Sequence, residues 1–379
     1  MKSGTPGFSG PRLREAREAR VISASALAEV LGVTRAAISQ YEKDQASPRP
    51  DVMLRMSQAL NQPVGFFLRP ARPSEQRRVF FRSRAAATKG ARLKGEHRLN
   101  WLSDIVRLIA RSVDLPEVKL NPFDPPSDPR RLTQDDVEAL ATATRRYWGL
   151  GDGPISNVVW LLENNGVVVT RGEFEESTMD SFSCWDAQDP APLVFLNADR
   201  SSAVRGRFNA AHELGHLLLH RSVPAEYWGT DIKERETQAS KFGAAFLLPA
   251  KTFSDDVVVP SLEAFRALKS KWLVAISAML MRTEDLGLVS EAHGQRLWRN
   301  LSRRRWRTWE PLDDELVPET PRILRSSFDA LRSHDSELPA NLISELQLAE
   351  SDFLQLAMLP VSFLESEEPP NLIKFHRDI

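Results

Sequence analysis

The residues best suited to chemistry lie in one stretch, Ala210 to His220, which reads AAHELGHLLLH and contains the HExxH pattern. Residues four apart lie on one face of a helix, so His212 and His216 could bind one metal ion. Glu213 could accept a proton from a water that the metal activates for attack on a peptide carbonyl. The spacing therefore predicts half of a catalytic zinc site. His220 is a candidate hydrogen-bond donor to the transition state, and capping of the same helix is the alternative for it.

A tetrahedral catalytic zinc site uses three protein ligands and keeps a fourth position for water, so one more ligand is needed. The next predicted helix, Lys233 to Leu248, carries Glu234 and Glu236 in its first turns. Glu236 falls on the apolar side of this helix, whereas Glu234 should face solvent. We therefore predict Glu236 as the third ligand of one Zn²⁺ per chain. An acid that only stabilises the helix dipole is the simpler alternative.

This stretch, followed by E-x-x-A-x-x-F and LLP, resembles the ImmA/IrrE family of metallopeptidases. The resemblance covers roughly residues 79 to 311. It implies that His212 and His216 are metal ligands, that Glu213 is the catalytic base and that Glu236 is the third ligand. It also implies a protein substrate, because these peptidases are associated with cleavage of helix-turn-helix repressors. The family usually has Asn where this chain has Ser240, and Ala where it has Gly243.

Length and composition limit the remaining choices. The chain has 379 residues and a net charge of -1, so it is long enough for two or three domains and has no overall bias towards nucleic acid. We find no apolar run of about 20 residues and no apolar leader, so we expect a cytoplasmic protein that does not enter a membrane. Cys184 is the one cysteine, which excludes an internal disulfide and a cysteine-based zinc cluster.

Residues 8 to 70 read as five short helices in a helix-turn-helix layout. Ser25 to Leu31 is the second helix, Gly32 marks the turn, and Thr34 could cap a third helix that runs to about Lys43. Arginine and glutamine can contact guanine and adenine edges in a major groove. The expected contacts to double-stranded DNA are Arg35, Ala36, Ser39, Gln40 and Lys43, with Arg12 and Arg17 as further candidates for phosphate contacts.

The segment SALAEVLGVTRAAISQYEKD resembles the XRE family of phage-repressor-like helix-turn-helix domains. That resemblance implies binding to DNA. Family members usually have Gln where this chain has Ala24, which puts one phosphate contact in doubt. The alternative is a helical module for protein interaction that does not bind DNA.

The remaining pattern predicts an α+β fold that is mostly helical. We expect a five-helix N-terminal domain, a zincin-like domain with a small sheet before the HExxH helix, and a helical C-terminal region. The predicted strands are Gly166 to Arg171, Ser181 to Trp185 and Leu193 to Leu196. LVFLN, around the third of these, is the candidate edge strand for an extended substrate. The predicted divisions are 1–70 for the helix-turn-helix domain, 71–130 for a basic helical linker, 131–311 for the peptidase and 312–379 for the C-terminal region.

The leading functional hypothesis is a DNA-binding, zinc-dependent endopeptidase that cleaves a regulatory protein, expected to be a helix-turn-helix repressor, after a stress or mobile-element signal. The alternative is a transcription factor whose peptidase-like domain senses a ligand without cutting. A third hypothesis is a protein that acts only by binding a partner, as an antitoxin does, and it predicts no bound metal. A homodimer is one arrangement that the sequence leaves open. The basic stretch 71 to 99 could follow the DNA backbone or form a solvated face.

Overall fold

The computed structural model describes residues 4–71, 79–83, 87–175, 179–186, 189–199, 202–224 and 231–364. Helices dominate this part of the chain, and one four-stranded sheet lies among them. The predicted α+β, mostly helical class is confirmed. Among the helices of the described residues, none is long and apolar enough to cross a membrane.

The N-terminal region forms four α-helices and a closing 3-10 helix. These are α1 (Gly10–Ala19), α2 (Ala24–Leu31), α3 (Arg35–Glu42), α4 (Pro50–Leu60) and the 3-10 helix Val64–Leu68. The Ser23 hydroxyl accepts a hydrogen bond from the backbone N–H of Ala26, and Thr34 caps α3 in the same way. Gly32 ends α2 in the left-handed conformation, at φ 62°, which a residue without a Cβ adopts freely. The predicted helix-turn-helix layout is confirmed.

Three connecting helices and an irregular segment follow. They are α5 (Lys89–Ile109), α6 (Gln134–Tyr147) and α7 (Val158–Asn164), with a 3-10 turn at Pro129–Arg131. The proline-rich stretch before that turn has no regular structure. Within the expected basic linker, Lys94 and Arg98 are buried: both donate hydrogen bonds to backbone carbonyls, of Phe174 and Glu173 respectively. These two cations are thus part of the packing and do not form a solvated face, while residues 72–78 and 84–86 lie outside the described residues.

The sheet consists of β1 (Val79–Ser83), β2 (Val168–Gly172), β3 (Met179–Cys184) and β4 (Leu193–Asn197) in the order β1-β3-β4-β2. β4 pairs with β2 in parallel and with β3 antiparallel. The prediction of LVFLN as an edge strand is therefore wrong. β4 is an interior strand buried along its whole length, which explains its continuous apolar run. The edge strand that packs on the HExxH helix is β1.

The two faces of the sheet carry different side chains because successive residues of a strand point to opposite sides. Phe182 and Phe195 face α5 and the core shared with the N-terminal helices. Val194 and Leu196 face the opposite side, where the second core lies. The sheet therefore separates a layer built on α5 from a layer built on the HExxH helix.

Helices make up the rest of the described chain. They are α8 (Ala203–Leu219), α9 (Ile232–Leu247), α10 (Ala250–Asp256), α11 (Leu262–Trp272), α12 (Ile276–Asp285), α13 (Glu291–Arg303), α14 (Ile323–His334), α15 (Leu338–Leu346) and α16 (Glu350–Ala357), and a 3-10 turn at Val361–Phe363 follows. The pattern from Leu342 to Met358 suggests one amphipathic helix, but the structure has two. Gln347 adopts a left-handed conformation at φ 49° and ends α15.

α5 lies between the N-terminal helices and the sheet. It packs against α1, β3, β4 and the C-terminal helices α14 to α16. Its apolar side chains, among them Leu99, Trp101 and Ile105, are fully buried in that shared core. The helix-turn-helix region is thus in direct contact with the rest of the described chain.

Candidate metal centre

Two histidines of α8 point their ring nitrogens at one place. His212 and His216 are one helical turn apart, and their Nε2 atoms lie 3.0 Å from each other. Both rings are buried, because α8 is covered by the sheet on one side and by α9 on the other. Two basic nitrogens this close favour a shared proton or a cation between them.

Glu236 completes this arrangement from α9. Its Oε1 atom lies 3.1 Å from His216 Nε2, and its Oε2 atom lies 3.5 Å from His212 Nε2. Ligand atoms from the three residues all lie within 4.8 Å of one another. The Glu236 side chain is 26% exposed, so solvent reaches the group from this side. Glu234 is exposed and accepts a hydrogen bond from Gln238, which keeps its carboxylate on another side of the helix.

The close approach of α8 and α9 brings the three residues together. A Cβ atom on Gly215 would lie 3.1 Å from the Cα of Ala239, and one on Gly243 would lie 3.2 Å from the backbone nitrogen of His212. Both distances are tighter than ordinary van der Waals contact. Small residues at these positions therefore let α9 lie directly on the HExxH helix, with Glu236 above the two imidazoles.

The outer ring nitrogens of the two histidines are held by neighbours. Ser240 Oγ lies 3.2 Å from His212 Nδ1, and His220 Nδ1 lies 2.9 Å from His216 Nδ1. Such partners fix the orientation of a ligating imidazole and leave its Nε2 lone pair for a metal. With one carboxylate beside two oriented imidazoles, the donor set fits zinc. Ser240 therefore places a hydroxyl oxygen beside the outer nitrogen of His212.

Glu213 lies on the sheet side of α8 and is fully buried. Its Oε1 accepts a hydrogen bond from Ser181 Oγ at 2.6 Å, and its Oε2 accepts one from Ser183 Oγ at 2.5 Å. Each carboxylate oxygen has a second lone pair, so the group can still accept a proton. The two serines therefore hold the carboxylate in one orientation beside the metal-binding group.

Sequence reasoning missed these two serines. The signal was present in DSFSCW, because the alternation of a strand places Ser181 and Ser183 on one face and Phe182 and Cys184 on the other. A polar pair at alternate positions of a buried strand needs hydrogen-bond partners, and Glu213 is the partner. Phe80 was missed as well. Its ring stacks on His216 with centroids 5.0 Å apart and planes 11° from parallel.

His220 occupies a different position from the one expected for a transition-state donor. Its Nδ1 faces His216, and its Nε2 lies 3.0 Å from Gln238 Oε1. Burial, and next the neighbouring His216, lower the pKa of His220 well below its ordinary value. Both ring nitrogens are engaged inside the protein, so this arrangement favours a role in orienting His216, and the donor role stays a prediction.

The expected DNA contacts lie on the outer side of α3. Arg35, Ala36, Gln40 and Lys43 are exposed, Ser39 is half-buried, and Ile38 is turned into the core. This exposure is compatible with the predicted contacts, which stay predictions.

The expectation that Arg12 and Arg17 meet phosphates has no support in the structure. Arg12 is buried and binds Glu15 and the Pro70 carbonyl, while Arg17 pairs with Glu42 at 2.5 Å. Both guanidinium groups are bound inside the domain, so neither Arg12 nor Arg17 is free to contact the DNA backbone.

Two segments of the chain match models of known protein families. Residues 162–283 match the IrrE N-terminal-like domain of the M78 peptidases, and residues 13–67 match the helix-turn-helix model. A predicted HTH-type transcriptional regulatory protein of Methanocaldococcus jannaschii is 47% identical over 57 residues. That match covers 15% of this chain and 18% of the relative, so the likeness spans about a fifth of the relative's length.

Proposed function

Because this chain joins an XRE-type helix-turn-helix domain to an ImmA/IrrE-like peptidase domain, we propose that it is a DNA-binding regulatory zinc endopeptidase. Its substrate would be another regulatory protein, best matched by a helix-turn-helix repressor, cleaved in a stress or mobile-element response. The observation that carries the proposal is the convergence of both Nε2 atoms and the Glu236 carboxylate beside a buried Glu213. Such a regulator would act in the cytoplasm, where the DNA is.

His212, His216 and Glu236 would hold one zinc ion. When bound, zinc polarises the scissile carbonyl and makes water a stronger nucleophile. Glu213 accepts the proton that the attacking water loses and passes it to the leaving amine. Ser181 and Ser183 hold the Glu213 carboxylate in position during both transfers. Ser240 and His220 keep the two imidazoles in the orientation that points Nε2 inwards.

The helix-turn-helix domain would add specificity to the peptidase reaction. A repressor bound at a neighbouring operator is held close to a peptidase that is bound to the same DNA. Tethering of this kind raises the effective concentration of the substrate without any new contact. We therefore propose double-stranded DNA and a DNA-bound repressor as the two partners.

The test uses the full chain loaded with zinc and a repressor encoded beside its gene. Glu213→Gln keeps the size and shape of the side chain, but a neutral amide cannot act as a base. We expect zinc stoichiometry to stay at one per chain while cleavage falls by about 10²-fold or more. Glu234→Gln, a change of the same kind at an exposed position, should leave both quantities unchanged. Cleavage by Glu213→Gln at the wild-type rate would refute the proposal.

One observation favours the sensor alternative, in which the domain binds a ligand without cutting. His212, Glu213 and His216 are almost completely buried, and Phe80 covers the His216 ring. A site that, among the described residues, is open to solvent only beside Glu236 suits a small ligand better than an extended peptide. The sensor reading predicts that the wild-type protein binds zinc and shifts DNA near its own gene while every neighbouring repressor stays intact.

A further inference from the structure

A strongly basic stretch runs along α13 and into the segment that follows it. Between positions 292 and 309 the chain has no acidic residue, although its overall net charge is -1. The stretch contains six arginines and three tryptophans: Arg296, Arg299, Arg303, Arg304, Arg305, Arg307, Trp298, Trp306 and Trp309. Positive charge is therefore concentrated here and balanced elsewhere in the chain.

Three of the arginines form one exposed row. Arg296, Arg299 and Arg303 are spaced by three and four residues, so they lie on one side of α13. The opposite side of the helix is buried through Leu297 and Leu301. Within the described part of the chain, none of the three arginines pairs with a carboxylate; Arg303 contacts the amide of Asn300. The row is thus a set of guanidinium groups with no internal anion to bind.

Not every arginine of the stretch belongs to this surface. Arg304 pairs with Glu263 at 2.5 Å and lies 4.8 Å from the centre of the Trp306 ring. Trp309 donates a hydrogen bond to Asp314. These contacts explain the two residues by packing alone. The row on α13 has no such explanation.

A shallow cleft, wide open to solvent, adjoins the row. It has a volume of about 590 Å³ and is lined by Gln295, Trp298, Arg299 and Arg307. The Arg307 guanidinium lies 5.6 Å from the centre of the Trp298 ring and its Nε donates to Ser302 Oγ at 2.6 Å. The Trp298 indole N–H donates to Glu284 at 2.9 Å, which fixes the ring. The cleft therefore combines rigid flat surfaces with an amide that can donate and accept hydrogen bonds.

We propose that this α13 surface, Arg296, Arg299, Arg303 and the adjoining cleft, binds single-stranded nucleic acid. The row of guanidinium groups would contact successive phosphates, and an unpaired base would enter the cleft and stack on Trp298 and Arg307. Gln295 could hydrogen-bond an edge of that base. A duplex offers phosphates but no unstacked base, so the cleft favours single strands. The surface shares no residue with the metal centre or with α3, and it would give the molecule a second nucleic-acid site.

The test measures binding of a fluorescent 20-nucleotide oligo-dT to the full chain by anisotropy between 50 and 200 mM salt. Arg35→Glu and Lys43→Glu are present in every protein, to suppress binding through α3. We expect the triple variant Arg296→Gln, Arg299→Gln, Arg303→Gln to bind at least tenfold more weakly. Three lost phosphate contacts should also make the slope of log K against log salt less negative by about 2.

The matched control is Arg146→Gln, Lys233→Gln, Lys251→Gln, which removes the same charge from exposed positions on α6, α9 and α10. Control and parent should bind alike, and circular dichroism should show that all the proteins are folded. Equal affinity and slope for the triple variant and the control would overturn the proposal. If the triple variant loses affinity for a 20-base-pair duplex as strongly as for oligo-dT, the assignment to single strands is wrong.

Discussion

At the scale of single residues, the choice between two carboxylates decides whether a metal site exists. Glu234 and Glu236 are two positions apart on α9, which places them about 200° apart around the helix. Only Glu236 lies within 3.5 Å of both histidine Nε2 atoms. The site therefore depends on which side of α9 faces the two histidines as well as on the types of its residues.

We expect Glu236→Gln to weaken zinc binding by a factor of about 100 or more. Loss of a residue that merely supports a ligand already costs about 10- to 100-fold, and here the ligand itself becomes a neutral amide. Competition with a chromogenic chelator measures the affinity of the full chain for zinc. Glu234→Gln is the control and should bind zinc like the wild type. Equal affinities for the two variants would exclude Glu236 as a ligand.

Residue types and helical spacing were enough to single out His212, His216, Glu213 and Glu236 in the sequence. The reason is that each pair lies on one helix or on two successive helices, where period 3.6 decides which side a residue occupies. Ser181 and Phe80 could not be assigned in this way. Their contacts with α8 depend on how two strands pair and on which face of the sheet meets the helix, and no local pattern encodes either.

At the scale of elements, α7 connects the peptidase layer to the C-terminal helices. Glu319 accepts hydrogen bonds from the backbone N–H groups of Val158 and Val159 at the start of α7, and it also pairs with the buried Arg207 of α8. In the opposite direction, Glu163 near the end of α7 accepts from the backbone N–H groups of Arg322 and Ile323 at the start of α14. Each carboxylate thus satisfies the free N–H groups at the start of a helix.

Glu163 should make stability depend on pH. Burial raises the pKa of Glu163 to about 7, despite the backbone hydrogen bonds that lower it. A carboxyl whose pKa is higher in the folded state contributes stability at low pH and loses it as pH rises from about 4.5, its unfolded value, to about 7. We therefore expect the free energy of unfolding of the wild type to fall across this window relative to that of Glu163→Gln.

Denaturant unfolding of both proteins at several pH values between 4 and 8 measures this difference. The Gln side chain keeps one oxygen that can accept a hydrogen bond from the α14 backbone, so the variant should still fold. It does not titrate, and it is therefore the reference for the wild type at each pH. A wild type that gains stability relative to Glu163→Gln as pH rises would show that the backbone donors outweigh burial and that the pKa is lowered.

Most helices and three of the strands could be predicted from periodicity, caps and turn residues. The arrangement of the strands could not, because the apolar run of LVFLN fits an edge strand as well as an interior one when its neighbours are unknown. β1 was not predicted as a strand, since its short sequence lies in a basic stretch and is stabilised by pairing with β3, a hundred residues later in the chain. The break between α15 and α16 could not be predicted because apolar residues continue on both sides of Gln347, where α15 ends.

At the scale of the whole molecule, the helix-turn-helix domain is fixed to the C-terminal helices by buried polar contacts. Arg20 of α1 binds both carboxylate oxygens of Asp352 of α16, at 2.9 and 2.5 Å. Gln62 donates to the same carboxylate and accepts from the backbone N–H of Ala349. Arg69 adds a hydrogen bond to the carbonyl of Leu346. The C-terminal region, for which the sequence offers no chemistry, thus holds the two functional parts together.

α5 also contacts the helix-turn-helix domain, through polar side chains that bind α1. Its Trp101 indole N–H donates to Glu15 of α1 at 2.6 Å, and its His97 lies 3.1 Å from Glu18. Burial opposes ionisation of Glu18, but hydrogen bonds from His97 and Arg14 outweigh it and lower the pKa of Glu18 to about 2. Glu18 therefore stays charged at neutral pH. The contact between the domains combines apolar area with charge pairs that require a defined geometry.

Asp352→Ala tests whether this contact couples DNA binding to proteolysis. The change leaves Arg20 and Gln62 without their shared acceptor, so we expect a loss of about 2 kcal/mol or more in the free energy of unfolding. We also expect faster amide exchange in α1 and α16. Asp352 binds Arg20 of α1 and Gln62, which are not among the expected DNA contacts on α3, and operator affinity should therefore change less than twofold. Asp329→Ala, which removes an exposed carboxylate of α14, is the control and should alter none of these quantities.

The consequence for function follows from the geometry of tethering. If a fixed domain arrangement directs the peptidase site towards a repressor on neighbouring DNA, loosening the contact spreads that site over many orientations and lowers its effective concentration at the substrate. Asp352→Ala should then cleave a DNA-bound repressor more slowly while it cleaves the same repressor free in solution at the wild-type rate. Equal slowing of both reactions would mean that the substitution damages the peptidase itself, and no slowing of either would mean that the domains act independently.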